Sequence, residues 1–258
     1  MNILIFTGGN PPDFFDFIRF YNRTVEKDDV IIAVDSGADT LYKYLECIKN
    51  NTNNADLNST IQENMLNSLI NNTVLMPDYL IGDMDSIEGK EIPSLFPGVK
   101  IEKFDSYKDL TDTELSLIKA RQINPDANVI LIGGNGGRPD HFIGILETFS
   151  SEFHPSAWLC GPQVVYYLSD EALLVADNLN ENDIISISRV LPGTQEGKVR
   201  TTGLEWSDAS MRKRGMPSIS NRIKKEGTDT TVTVLAEGAP FLVFLPYSAM
   251  VKVRQRDK

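Results

Sequence analysis

Along the first two thirds of the chain, short and nearly unbroken apolar runs alternate with longer stretches in which apolar residues recur every three or four positions. The order is NILIFTGG then FFDFIRFYNR, DVIIAVDSGA then TLYKYLECI, DYLIGDMDS, VKIEKF then TDTELSLIKARQ, and NVILIGG then HFIGILETF. Runs that stay apolar on successive residues fit strands buried on both faces, and the stretches between them carry the period of amphipathic helices. The pattern predicts a Rossmann-like parallel sheet covered by helices on both sides. Beyond about residue 160 the helical period disappears. VVYYLSD, ALLVAD, DIISISRVL, KVRTTGLEW, TTVTVLAEG and PFLVFLPY are short β-branched or aromatic runs separated by Gly, Pro, Asn and Asp, as in a sandwich or barrel. The predicted fold is α/β: an α/β domain over residues 1–162, then an all-β sandwich domain over residues 163–258, with the boundary near AWLCGPQ.

One segment interrupts the alternation. Nine of the 23 residues from Asn50 to Asn72 are asparagine, yet Ile61, Met65, Leu66, Leu69 and Ile70 recur at helical spacing behind Ser59, with Gln62 three residues later. This predicts an insertion that carries a peripheral amphipathic helix between flexible loops and takes no part in chemistry.

Composition narrows the function classes. With 36 acidic against 25 basic residues the net charge is −11, a field that repels polyanions and disfavours a broad nucleic-acid or anionic-membrane surface. A local cationic site, or bound metal ions, remains compatible with it. Cys47 and Cys160 are too few and too far apart for a zinc cluster or a disulfide framework. MNILIFTGGN lacks a basic n-region and reads as a first buried strand, and no run approaches the roughly 20 apolar residues of a membrane span. A cytoplasmic location is expected, in which the Asn-X-Thr triplets around Asn50 and Asn71 carry no glycan.

The candidate chemistry collects at the C-terminal ends of the predicted strands, the edge where open α/β sheets bind ligands. Asp35 follows VIIAV, Asp83 and Asp85 follow DYLI, and GGNGGRPDH follows VILI. If the strand through LIGDMDS stays extended, its period of two puts Asp83 and Asp85 on one face, where their charges repel. In GGNGGRPDH, the glycines allow backbone N–H groups to approach an anion and Pro139 suits the first turn of a helix, with Arg138 beside it. The loop matches neither the Walker A pattern nor GxGxxG, which disfavours a conventional P-loop ATPase or dinucleotide dehydrogenase. In KDLTDTE, Thr111 and Glu114 form a capping box, leaving Asp109 and Asp112 at the helix start facing the same sheet edge. Converging carboxylates need cations, and Mg²⁺ carrying the polyphosphate of ATP supplies them. Taken alone, His141 is a residue of the helix start, Trp206 an aromatic of the sandwich, Ser220-Asn221 a turn, and Arg212-Lys213-Arg214 and Lys224-Lys225 solvated loop charges.

The ordered set VDSGAD (34–39), GDMDS (82–86), KDLTDTE (108–114), GGRPDH (136–141), TTGLEW (201–206) and ISN (219–221) resembles the thiamin pyrophosphokinase family across nearly the whole chain. The resemblance implies transfer of the terminal diphosphate of ATP to thiamine, giving thiamine diphosphate and AMP, with Mg²⁺. It also implies a homodimer with active sites at the subunit interface. Asp83, Asp85 and Asp112 match the family's metal and polyphosphate carboxylates, Arg138 a phosphate contact, and Asp35 and Asp140 acidic positions of the same cleft. Ser86, Lys108, Asp109, Gly136, Gly137 and His141, within the same motifs, complete the expected nucleotide-binding set. Trp206, Ser220 and Asn221 fall where the family's second domain meets thiamine, whose cationic ring suits a flat aromatic face. Asp85 or Asp112 is the expected proton acceptor. Two other readings are a pyrophosphokinase acting on a pterin alcohol and a nucleotide-binding sensor without catalysis.

Overall fold

The computed structural model describes residues 1–53, 74–84, 96–105, 107, 109–191, 196–207, 211–212, 215–224 and 230–255, with the side chains of 51–53 excepted. The chain divides into two compact units, Met1–Phe142 with Leu159–Gly161, and Ile143–Trp158 with Pro162–Lys258. The helix expected around Ile61–Ile70 lies outside the described residues, as do Asp85, Ser86, Lys108, Lys213, Arg214 and Lys225.

The first unit holds a parallel sheet. Its strands are β1 (Asn2–Phe6), β2 (Val30–Val34), β3 (Tyr79–Gly82), β4 (Lys100–Lys103) and β5 (Asn128–Ile132), in the order β5-β1-β2-β3-β4. Ile3, Leu4, Ile5 and Phe6 on β1 are wholly buried, which is why this strand shows no polar alternation in sequence. Helix α1 (Phe14–Thr24) starts at Asp13, whose carboxylate accepts from the N–H groups of Phe15 and Asp16. Its Phe17 ring packs edge-on to Phe6 and stacks on Tyr44 of α2 (Gly37–Asn53), with centroids 5.6 and 4.8 Å apart. Helix α3 (Asp112–Ile123) opens on the expected capping box. The Thr111 hydroxyl accepts from Glu114 N–H, and the Glu114 carboxylate accepts from Thr111 N–H at 2.8 Å. Helix α4 (Pro139–Thr148) begins at the proline, as read from sequence.

β3 departs from the extended reading of LIGDMDS. The strand ends at Gly82, whose φ is 143°, and Met84 adopts a left-handed φ of 65°, so period two does not carry past Gly82.

The second unit is antiparallel. β7 (Gln163–Leu168), β13 (Phe241–Pro246), β9 (Ile184–Arg189) and β11 (Ser218–Arg222) are neighbours in that order. A second sheet is ordered β10 (Lys198–Thr202), β12 (Val232–Glu237), β8 (Ala172–Asp177), β14 (Met250–Gln255). Burial alternates along β8 and β12, placing Leu174, Ala176, Val232 and Val234 in one core with Ile185, Ile187, Phe241 and Val243. β6 (Ala157–Cys160) holds the buried Trp158. Ser220 and Asn221 lie in β11, not in a free turn, and the ladder to β9 slips between Ser218 and Asn221. Among the described residues no helix is long and apolar enough to cross a membrane.

Candidate active site

At the C-terminal edge of the parallel sheet the loops that follow β1 and β5 are tied together through their backbones. The Thr7 N–H donates to the Ile132 carbonyl, the Gly134 N–H to Gly8, and the Asn10 N–H to Asn135, at 2.9, 2.7 and 2.6 Å. Gly133, Gly134, Gly136 and Gly137 all have positive φ, between 68° and 100°, a path closed to residues with a Cβ unless strained. A hydrogen bond of 2.8 Å between the Thr7 and Thr113 hydroxyls links this frame to the first turn of α3, which bears Asp112. Thr7 was not among the residues singled out by sequence. Its only signal was its place at the end of β1.

Asp35 sits where β2 hands over to α2, with a left-handed φ of 43°. Its N–H donates to the Ile81 carbonyl at 3.0 Å, and its Oδ1 accepts from Met84 N–H at 3.3 Å. The carboxylate therefore lies across the end of β3, and a Cβ on Gly82 would overlap it. This is the physical use of the glycine that precedes Asp83. Burial pushes the Asp35 carboxyl up to about 7, with the Asp112 carboxylate and a hydrogen bond between the two adding to the rise, and Asp83 contributing further. Asp35, Asp83 and Asp112 thus come from the ends of β2 and β3 and the start of α3 into one electrostatic neighbourhood. Left-handed φ at two non-glycine residues here, Asp35 and Met84, marks backbone strain held by the surroundings.

The donor chemistry suits a hard divalent cation: oxygen ligands only, with like charges held together. Among the described residues no three acidic, histidine or cysteine side chains converge closely enough to hold a metal by themselves, and Asp85 lies outside those residues. Asp109 is exposed in the loop before α3, and Gly136, Gly137 and His141 are exposed around the start of α4. Arg138 and Asp140 face each other there, with Nε and Nη2 3.2 and 2.5 Å from the two carboxylate oxygens. The guanidinium holds Asp140 down at about 2, helped by backbone N–H groups at the helix start.

In the second unit, Trp206 is 48% exposed and follows β10 through the TTGLEW loop. Asn221 is fully buried. Its Oδ1 accepts from the Trp206 and Arg222 N–H groups at 3.2 and 2.9 Å, and its Nδ2 donates to the Trp206 carbonyl and the Ser218 hydroxyl at 2.8 and 3.0 Å. Ser220 is exposed, has a φ of 54°, and donates its N–H to the Ser186 hydroxyl at 3.0 Å. A cleft of about 450 Å³ is lined by Thr201, Thr202, Gly203, Glu205, Lys224 and Thr231.

A family model described as the thiamin pyrophosphokinase catalytic domain matches residues 21–158. The fold is similar to a thiamine pyrophosphokinase from Bacillus subtilis, with a TM-score of 0.65 and 17% identity over 95% of this chain and 99% of that one. It is similar to a thiamin pyrophosphokinase from Candida albicans at TM-score 0.63 and 16% identity, over 95% of this chain and 88% of that one. A thiamin pyrophosphokinase family protein from Enterococcus faecalis aligns over 100% of both chains at TM-score 0.62 and 16% identity. At these identities the structural likeness speaks for the fold. No curated protein matches the chain.

Proposed function

The chain belongs to the thiamin pyrophosphokinase family, and from that premise we propose that it transfers the diphosphate of ATP to thiamine, yielding thiamine diphosphate and AMP. The observation that carries the reading is the convergence of Asp35, Asp83 and Asp112 at the C-terminal edge of the sheet. Carboxylates gathered at a sheet edge that a glycine-rich loop also reaches suit a metal-borne polyphosphate.

In the proposed reaction the thiamine hydroxyl oxygen attacks the β-phosphorus of ATP in line. A new P–O bond forms, the bond from that phosphorus to the bridging oxygen breaks, and AMP departs with the electron pair. Asp83, Asp85 and Asp112 are the residues that would hold Mg²⁺, which when bound neutralises charge on the polyphosphate. Arg138 takes a phosphate oxygen by exchanging its Asp140 partner, and Gly136 and Gly137 offer backbone N–H groups beside it. Asp35 is proposed to bear on this set through its contact with Asp112, and Asp85 or Asp112 takes the hydroxyl proton. On the other unit, Trp206 offers its exposed face to the thiamine ring, and Ser220 its exposed hydroxyl. A homodimer with active sites at the subunit interface completes the proposal.

The test is one incubation of the purified chain with ATP, Mg²⁺ and thiamine, read by mass. Thiamine diphosphate and AMP in equal amounts support the reading, and omission of metal should abolish both. Formation of ADP, or turnover of a pterin alcohol in place of thiamine, would replace it. Nucleotide binding without any AMP would make the chain a sensor.

A further inference from the structure

The geometry assigns Asn221 as a positioning residue that acts on thiamine only through Trp206, and not as a group that touches the substrate. The inference rests on the proposed role of Trp206 above. A side-chain amide can donate two hydrogen bonds and accept two. All four are made within the protein: two from Nδ2, to the Trp206 carbonyl and the Ser218 hydroxyl, and two to Oδ1, from the Trp206 and Arg222 N–H groups. The residue is also 0% exposed, so it offers a ligand neither surface nor hydrogen-bonding capacity.

Both backbone polar groups of Trp206 are clamped by this one amide, as an adjacent strand would clamp them. Yet the indole it supports is 48% exposed. Ordering a large exposed aromatic costs conformational entropy, and fixing its backbone beforehand removes part of that cost from the binding step. The irregularity of β11 makes the clamp possible. The left-handed Ser220 and the register slip after Ser218 turn Asn221 inward beneath the TTGLEW loop. Aspartate would not substitute, because an acceptor would replace the donor that faces the Trp206 carbonyl.

The chain contains two tryptophans, Trp158 in the core and Trp206 at the surface, so fluorotryptophan labelling gives two ¹⁹F resonances, and the first reports the fold. In N221A the Trp206 resonance should move or broaden while that of Trp158 stays, and the KM for thiamine should rise about tenfold with the KM for ATP unchanged. Adding N221A to W206A should then raise the thiamine KM no further. A wild-type Trp206 resonance in N221A, or an additive loss in the double variant, overturns the assignment. Should N221A lose the Trp158 resonance as well, Ser218→Ala removes one of the four bonds alone. It should shift only Trp206, and an unmoved resonance there counts against the clamp. The ¹⁹F measurement is made without thiamine, so it decides the coupling even if a different acceptor is the true substrate.

Discussion

Asp35 is strained in its backbone, pressed against the end of β3 and bonded to another carboxyl, and its charge state follows from those facts. Held up to about 7 when folded against an ordinary value of 3.8, it retains a proton that the unfolded chain releases. The stability linked to that proton is fully present below 3.8 and is lost as pH rises through about 7. Mg²⁺ should therefore raise the melting temperature more at about pH 8 than at about pH 5, because it meets a fully charged set only in the first case. Thermal melts with and without the metal check this, and an equal gain at both values contradicts it. For Asp83→Asn the expectation is a loss of turnover by about 10²-fold or more without a lower melt, since the proposed role of that charge lies with the polyphosphate and its loss relieves repulsion on Asp35. Activity at the wild-type rate would remove Asp83 from the mechanism. These aspartates were legible in the sequence because each follows an apolar run that ends at a known edge of an α/β sheet. From its own residue pattern Asn221 was legible only as a polar residue of a turn, because the two bonds that clamp Trp206 join backbone atoms 15 residues away that local pattern does not connect.

Among the elements, α3 carries its own start signal in Thr111 and Glu114, and the first turn it fixes also holds Asp112 and Thr113. Thr111→Ala should cost about 1 kcal/mol of stability, a drop of a few degrees in melting temperature. It should also lower turnover, because the turn that frays bears a proposed metal ligand. A variant that melts earlier with full activity would show that Asp112 keeps its place without the cap. The capping box could be read directly because its two bonds join residues three apart. The end of β3 could not, since whether LIGDMDS stays extended is settled by the packing of Asp35 against Gly82, a contact between residues 47 apart in sequence. β11 was hidden for a related reason. Its Ser, Asn and left-handed backbone look like a turn, and only the ladder to β9 makes them a strand.

For the molecule as a whole, the net charge of −11 opposes the approach of an anionic nucleotide, and the proposed metal and Arg138 would have to reverse that sign locally. Raising ionic strength from about 0.02 M to about 0.2 M at fixed free Mg²⁺ should lower the KM for the metal–ATP complex, since screening weakens a net repulsion. A KM that climbs with salt would mean that local attraction outweighs the global field. The order of parallel α/β elements before an antiparallel β region was readable because the apolar period changes once, near residue 160, and the structure follows it. The glycine-rich loop, by contrast, was legible only as a turn whose N–H groups could approach an anion. Its ties to Gly8 and Asn10 make it a joint of the frame, which no local pattern announced.

Because β2 and β3 are parallel neighbours, the chain leaving Asn53 must return to the N-terminal side of the sheet, where the Asp78 N–H donates to the Ile31 carbonyl. The chain that follows the 54–73 span thus enters the sheet on the margin opposite the aspartates. A reporter domain spliced between Asn53 and Val74 should leave turnover intact, because β3 still carries the chain from that margin across the sheet to Asp83.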